Sequence, residues 1–127
     1  MTENDLTRKV FNMGLKIHKA LGPGLLESVY QECFCIELDK EGIDYKTQEK
    51  ISIYYDGQKL QTYFVADLII ENKLIIELKS VKEIHDVHFA QVINYLKITK
   101  YKLGLLINFN VPLFKDGFKR IILGKLD

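Results

Sequence analysis

Three charged residues, Asp67, Glu77 and Lys79, stand inside segments otherwise built from Val, Ile and Leu; residues 67–79 read Asp-Leu-Ile-Ile-Glu-Asn-Lys-Leu-Ile-Ile-Glu-Leu-Lys. Such segments read as core strands, where a charge is costly unless it is paired, hydrogen-bonded or bound to metal. Two carboxylates with a backbone carbonyl and waters make a hard oxygen site suited to Mg²⁺ or Mn²⁺. A cation held there lowers the pKa of a bound water and neutralises charge on a phosphoryl oxygen. Lys79 can orient the attacking water or stabilise the developing negative charge. The plainer alternative is a structural salt bridge between Lys79 and one acid, although buried ion pairs seldom add net stability. Charges placed in this way are commoner at functional sites, which favours the site.

The elements around these residues must bring them together. Glu77 and Lys79 are two apart on a strand and project from one face. A turn centred on Asn72 pairs residues whose numbers sum to about 144, which sets Asp67 opposite Glu77 with Cβ atoms roughly 5 Å apart. A turn one residue longer or shorter would send Asp67 to the other face.

Leu6, Val10, Met13, Ile17 and Leu21 recur at helical steps and predict an amphipathic helix over about 4–20, broken by Gly22-Pro23-Gly24. A second helix is expected from about Leu26 to Lys40, with Leu25, Val29, Cys33, Ile36 and Leu38 inward and Gly42 as its stop. Lys46 to Tyr55 alternates as a strand, Asp56-Gly57 is a hairpin turn, and Leu60 to Ile70 returns. Leu74 to Lys79 is apolar on both faces up to Glu77 and should be the central strand. A helix over about Asp86–Thr99, with Phe89, Val92, Ile93 and Leu96 inward, leads to a buried strand over Lys102–Phe109, so a right-handed crossover and parallel pairing are expected. Phe118 to Leu123 closes the order as an edge strand. The order ααβββαββ predicts one domain over residues 1–127, of α/β class, with a mixed β-sheet flanked by helices.

A chain of 127 residues is long enough for one real core. No apolar run approaches a membrane span and the N-terminus is acidic and polar, so neither a membrane segment nor a secretory signal is expected. Cys33 and Cys35, two apart in a helix, would point to different faces, which suits packing in a reducing cytoplasm. Net charge is +1, but residues 1–45 carry five Lys/Arg against eight Asp/Glu, and residues 91–127 carry seven against two. The basic part (Lys97, Lys100, Lys102, Lys115, Lys119, Arg120, Lys125) could track a phosphate backbone or be a solvated surface.

Glu27 and Tyr30 share a helical face. Glu27 follows the Gly-Pro-Gly break closely, where an acid also complements the helix dipole, and Tyr30 suits core packing. Gln91 and Tyr95 share a face of the third predicted helix, beside its apolar stripe. His18 reads as a cation at a helix C-terminus, and His85 and His88 as loop or helix-start residues.

Asp67-(x)9-Glu77-x-Lys79 resembles the core motif of the PD-(D/E)xK nuclease superfamily, with Ala66 in place of the Pro. Gly24-Leu25-Leu26-Glu27-Ser28-Val29-Tyr30 matches the G-x-x-E-x-x-Y signature of the GxxExxY family within it. The likeness extends through His18–Gly24, Ala66–Leu68, Glu77–Lys79, Gln91–Leu96 and Gly104–Phe109, and covers about Val10 to Leu123. The resemblance implies a restriction-endonuclease-like fold. It implies Asp67 and Glu77 as metal ligands, the Leu78 carbonyl as a third, Glu27 as an acid aimed into the site, and Lys79 as the catalytic lysine. Gln91 and Tyr95 resemble the Q-x-x-x-Y motif of the RecB-like branch, whose helix flanks the site. The expected activity is Mg²⁺- or Mn²⁺-dependent hydrolysis of phosphodiester bonds in DNA or RNA. The partner is nucleic acid, foremost DNA, with a homodimer or a partner protein supplying specificity. The alternative is a non-catalytic nucleic-acid- or protein-binding module on the same fold.

Overall fold

The computed structural model describes residues 1–126. Its first helix, α1, spans Glu3–Leu21 and opens on a reciprocal cap: Asp5 N–H donates to Thr2 Oγ1 (3.1 Å) and Thr2 N–H to Asp5 Oδ2 (3.0 Å). Leu6, Val10, Met13 and Ile17 form its buried stripe. The second helix, α2, spans Glu27–Lys40 and ends where expected: Gly42 lies at φ +66°, its N–H bonds Asp39 O, and Ile43 N–H bonds Leu38 O.

The buried face of α2 differs from the expected one. Tyr30, Phe34 and Leu38 are inward, while Ile36 is 54% exposed and Leu25 lies at the surface. Both series have helical spacing, so periodicity alone could not choose between them. The rings of Tyr30 and Phe34 bury more area and find a partner in Phe109, on which Tyr30 stacks at 4.0 Å with planes 5° apart.

Strands β1 (Tyr45–Tyr55), β2 (Gln58–Ile70), β3 (Leu74–Lys79), β4 (Leu103–Asn108) and β5 (Phe118–Ile122) form one sheet in that order. Only β3 and β4 pair in parallel, joined through helix α3 (Asp86–Thr99). Asp56 and Gly57 take φ +51° and +75°, the geometry of a two-residue hairpin turn. Glu71 and Asn72 both take φ +53° and Lys73 N–H bonds Ile70 O, which sets the β2–β3 register at Leu68↔Ile76, Ile69↔Ile75 and Ile70↔Leu74. Each of those pairs sums to the expected 144.

The sheet separates two apolar layers. Leu68, Ile70, Ile76, Leu78, Leu105 and Ile107 meet α1 and α2, whereas Ile69, Ile75 and Leu106 meet α3. A side chain on Gly104 would meet Val92 Cγ1 at 2.5 Å, so glycine lets α3 sit close against β4. The result is a single α/β domain with a five-stranded mixed sheet and three α-helices, in the expected order ααβββαββ; a short 3₁₀ turn at Phe114–Gly117 precedes β5.

His18 departs from its expected role as a helix-end cation. It is buried, with Nε2 2.7 Å from Val111 O and its ring against Phe109 and Phe114, so it fastens the segment after β4 to α1. Cys33 and Cys35 are free, half-buried thiols, and burial pushes both up. Among the described residues no helix is long and apolar enough to cross a membrane.

Candidate active site

The β2–β3 ladder ends at Leu68↔Ile76. Beyond that pair, side chains take over the bonding of the strands. Asp67 N–H donates to Glu77 Oε1 (3.1 Å), and Leu78 N–H donates to Asp67 Oδ2 (2.8 Å). Each acid therefore satisfies a backbone donor of the opposite strand, which is how two carboxylates are accommodated in an apolar seam.

The electrostatic cost is large at Glu77, which is 3% exposed. Burial pushes its carboxyl up to about 8, and the Asp67 charge adds to the rise; the Asp67 N–H and the Lys79 ammonium pull the other way, and Glu27 raises it further. No ion pair joins Lys79 to an acid among the described residues. The half-buried Lys79 is thus outside the salt bridge that the structural alternative requires.

Glu27 is the first residue of α2 and is exposed. Its charge reaches Glu77, yet among the described residues no three His, Cys, Asp or Glu side chains gather into a group that could hold a metal ion. What the chain does assemble is a pair of acids, each bonded to a backbone N–H of the other's strand, with Lys79 near enough to act on Glu77 through its charge but in no ion pair with it. Their hard oxygens fit a small divalent cation, which would displace the proton of Glu77, with the Leu78 carbonyl one residue on.

Tyr30 does more than pack. Its hydroxyl donates to Gly22 O (2.7 Å) and accepts from Leu25 N–H (3.1 Å), closing the loop that launches α2 at Glu27. In the Gly24–Tyr30 motif the tyrosine thus sets the entry of the helix whose first residue is the glutamate. Tyr30→Phe should lower stability by about 1–2 kcal/mol, because it leaves the Gly22 carbonyl and Leu25 N–H without their partner; the melting temperature checks this.

On the opposite layer, Gln91 Nε2 donates to the Tyr95 hydroxyl (2.9 Å), which donates in turn to Val65 O (3.1 Å). The pair ties α3 to β2 two residues before Asp67. Burial, then the charge of Glu77, raises the Tyr95 phenol above its usual range. The Gln91 amide is bonded to Tyr95, not to the acids. His85 and His88 lie at the start of α3, where His85 N–H donates to His88 Nδ1 (2.9 Å).

Two residues at the site carried no signal in the sequence. Gln48 Nε2 donates to Asp67 Oδ1 (3.1 Å) and to Gln31 Oε1 (2.7 Å). A glutamine in an exposed strand has no periodicity that marks it, and only the folded chain brings it to Asp67 and Gln31. The basic residues of the last third are spread over the end of α3 (Lys97), the loop before β4 (Lys100, Lys102), the 3₁₀ turn (Lys115), β5 (Lys119, Arg120) and the segment after it (Lys125), and Arg120 bonds Asn4 Oδ1 at 2.8 Å.

The family model described as the PD-(D/E)XK nuclease superfamily matches residues 4–121. No curated protein and no solved structure matches the chain. The matched span holds α2, α3 and all but the first residue of α1, the β2–β3 seam with its two acids and lysine, and all but the last residue of a mixed sheet consistent with a restriction-endonuclease-like fold. This chain belongs to the PD-(D/E)XK nuclease superfamily.

Proposed function

We propose that the protein is a nuclease of the GxxExxY branch that hydrolyses phosphodiester bonds of DNA, with Mg²⁺ or Mn²⁺ as cofactor. The observation that carries this reading is the Asp67–Glu77 pair: two carboxylates bonded across the open end of the β2–β3 seam, with Lys79 on the same strand face as Glu77 and in no ion pair with either acid. A hard divalent cation bound there supplies a water of lowered pKa and offsets charge on the phosphoryl oxygens. Asp67, Glu77 and the Leu78 carbonyl would hold it. Lys79 would orient the attacking water through its ammonium protons and stabilise the negative charge that develops on the phosphoryl oxygens. Glu27, at the start of α2 and outside the two-acid cluster, would reach the cation through water, and Tyr95 braces the α3 wall against β2 while Gln91 beside it would contact substrate. RNA is the secondary substrate. A second copy or a partner protein supplies specificity, and the cytoplasm is the place of action.

The test is cleavage of linear and circular DNA by the purified protein with Mg²⁺ or Mn²⁺. Lys79→Ala should slow cleavage by roughly 10²–10³-fold, the usual scale for removing one group that stabilises transition-state charge. Equal rates for wild type and variant would rule the mechanism out. The second reading, a non-catalytic nucleic-acid- or protein-binding module, draws on the absence of a third acid from the cluster among the described residues. Calorimetry with Mn²⁺ and a nucleic-acid panel separates the two, because binding without turnover supports the module.

A further inference from the structure

Gln48 combines two properties that a surface glutamine in a strand rarely has together. Its backbone takes φ +47°, a left-handed conformation that residues other than glycine rarely adopt. Its side-chain amide makes two hydrogen bonds at once, to Asp67 Oδ1 and to Gln31 Oε1. The β1–β2 register runs through Thr47↔Leu68 and Glu49↔Ala66 and skips Gln48 and Asp67 between them.

At that same point β2 exchanges its faces. Leu68 and Ile70 pack in the layer with α1 and α2, whereas Ala66 and Phe64, of the same parity, pack in the layer with α3. A regular strand would keep them on one side. The left-handed residue opposite Asp67 therefore sits where the ribbon turns over, and the turn directs the Gln48 amide toward the carboxylate. Gln31 lies one helical turn after Glu27 on α2. The amide thus spans from the β2 acid to the helix that carries the other acid.

We propose that Gln48 is a positioning residue for the metal site: it holds the Asp67 carboxylate in one rotamer and fixes its spacing from α2 through Gln31. The proposal rests on the nuclease reading insofar as it assigns a use to that carboxylate. Asp67 has one oxygen on Leu78 N–H and the other on Gln48, so both ends of the carboxylate are tethered by groups from different elements. Outer partners that hold a ligand in this way typically alter metal affinity 10–100-fold when removed.

The experiment compares wild type with Gln48→Gly and Gln48→Ala. Glycine relieves the left-handed strain while it deletes the amide, so Gln48→Gly should melt at or above the wild-type temperature and serves as the folded control. Mn²⁺ affinity, followed by electron paramagnetic resonance of the free ion without any substrate, should fall roughly 10–100-fold in both variants. In parallel, the Gln48 side-chain amide protons of the metal-free protein should exchange with solvent about 10-fold more slowly than a free amide, and Asp67→Ala and Gln31→Ala should each speed that exchange.

Wild type that binds Mn²⁺, with Gln48→Gly binding it equally well, overturns the positioning role and leaves the nuclease reading intact. Wild type that neither binds Mn²⁺ nor cleaves nucleic acid overturns the nuclease reading and, with it, the use assigned to Gln48. Slow exchange of the Gln48 amide, lost in both partner variants, supports the tether itself. Exchange as fast as a free amide overturns the tether whatever the metal result.

Discussion

Glu77→Gln should make the metal-free protein more stable at pH 8, by roughly 10–15 °C in melting temperature, and should abolish divalent-dependent cleavage. Glu77 has an ordinary carboxyl value of 4.5 and is pushed up to about 8 in the folded chain, first by burial and then by the Asp67 charge. The folded state therefore binds a proton that the unfolded state has already released between those two values. Stability is fully present below about pH 4.5, falls as pH rises, and reaches its low plateau above about 8, with a slope of at most about 1.4 kcal/mol per pH unit. Several units of this slope come to a few kcal/mol, and for a domain of this size each kcal/mol moves the midpoint by about 3 °C. A glutamine has the same shape, keeps an oxygen to accept from Asp67 N–H, and carries no charge to bury. The variant should melt like wild type near pH 4.5 and above it at pH 8. Mn²⁺ should stabilise wild type at pH 8, where the cation replaces the proton, and should have little effect on the variant. Cleavage should fall by at least ~10³-fold, the scale expected when transition-state charge stabilisation is lost with its ligand. A wild-type melting temperature that is flat or rising between pH 5 and 8 would contradict the assignment of Glu77 as a buried acid facing a like charge.

Asp67→Ala should be equally inactive but should shift stability the other way. Its carboxylate accepts from Leu78 N–H, and Leu78 is buried, so truncation orphans a backbone donor inside the seam. An unsatisfied buried group costs roughly 1–3 kcal/mol. At pH 5, where Glu77 is protonated, that loss appears in full as a melting temperature lower by roughly 3–9 °C. At pH 8 the deficit should shrink, because Glu77 no longer ionises beside a like charge. Asp67→Asn should behave similarly, since its amide offers one acceptor where Leu78 N–H and Gln48 Nε2 require two. The double variant with Glu77→Gln should not show this pH-dependent recovery. Thermal melts at the two pH values, together with cleavage assays, check the whole pattern, and a deficit independent of pH would refute the coupling between the two acids.

Much of this architecture is written in local chemistry. The left-handed pair Glu71 and Asn72 sets the β2–β3 register, and that register places Asp67 against Glu77 across the seam. Apolar runs with a period of two or none, glycine stops and the stripe of α1 are properties of a few consecutive residues, so they survive translation from sequence to fold. Which face of α2 is buried was not local: Tyr30 and Phe34 won over Val29 and Cys33 because Phe109, seventy-five residues beyond Phe34, offered them a ring. His18 shows the same dependence, since its partner Val111 lies ninety-three residues away along the chain, on the segment after β4.

For the site, the sequence by itself determined the acid–acid–lysine pattern and the strands that carry it, because charge among β-branched residues is a composition signal visible in one stretch. Only the tertiary structure decided how those charges are satisfied: the cross-strand bonds, the shift of Glu77, the Tyr30 clamp on the loop before α2, and the Gln48 amide between Asp67 and Gln31. Each of these depends on the approach of elements distant along the chain and on the removal of water between them, and neither quantity is carried by any single residue or its neighbours.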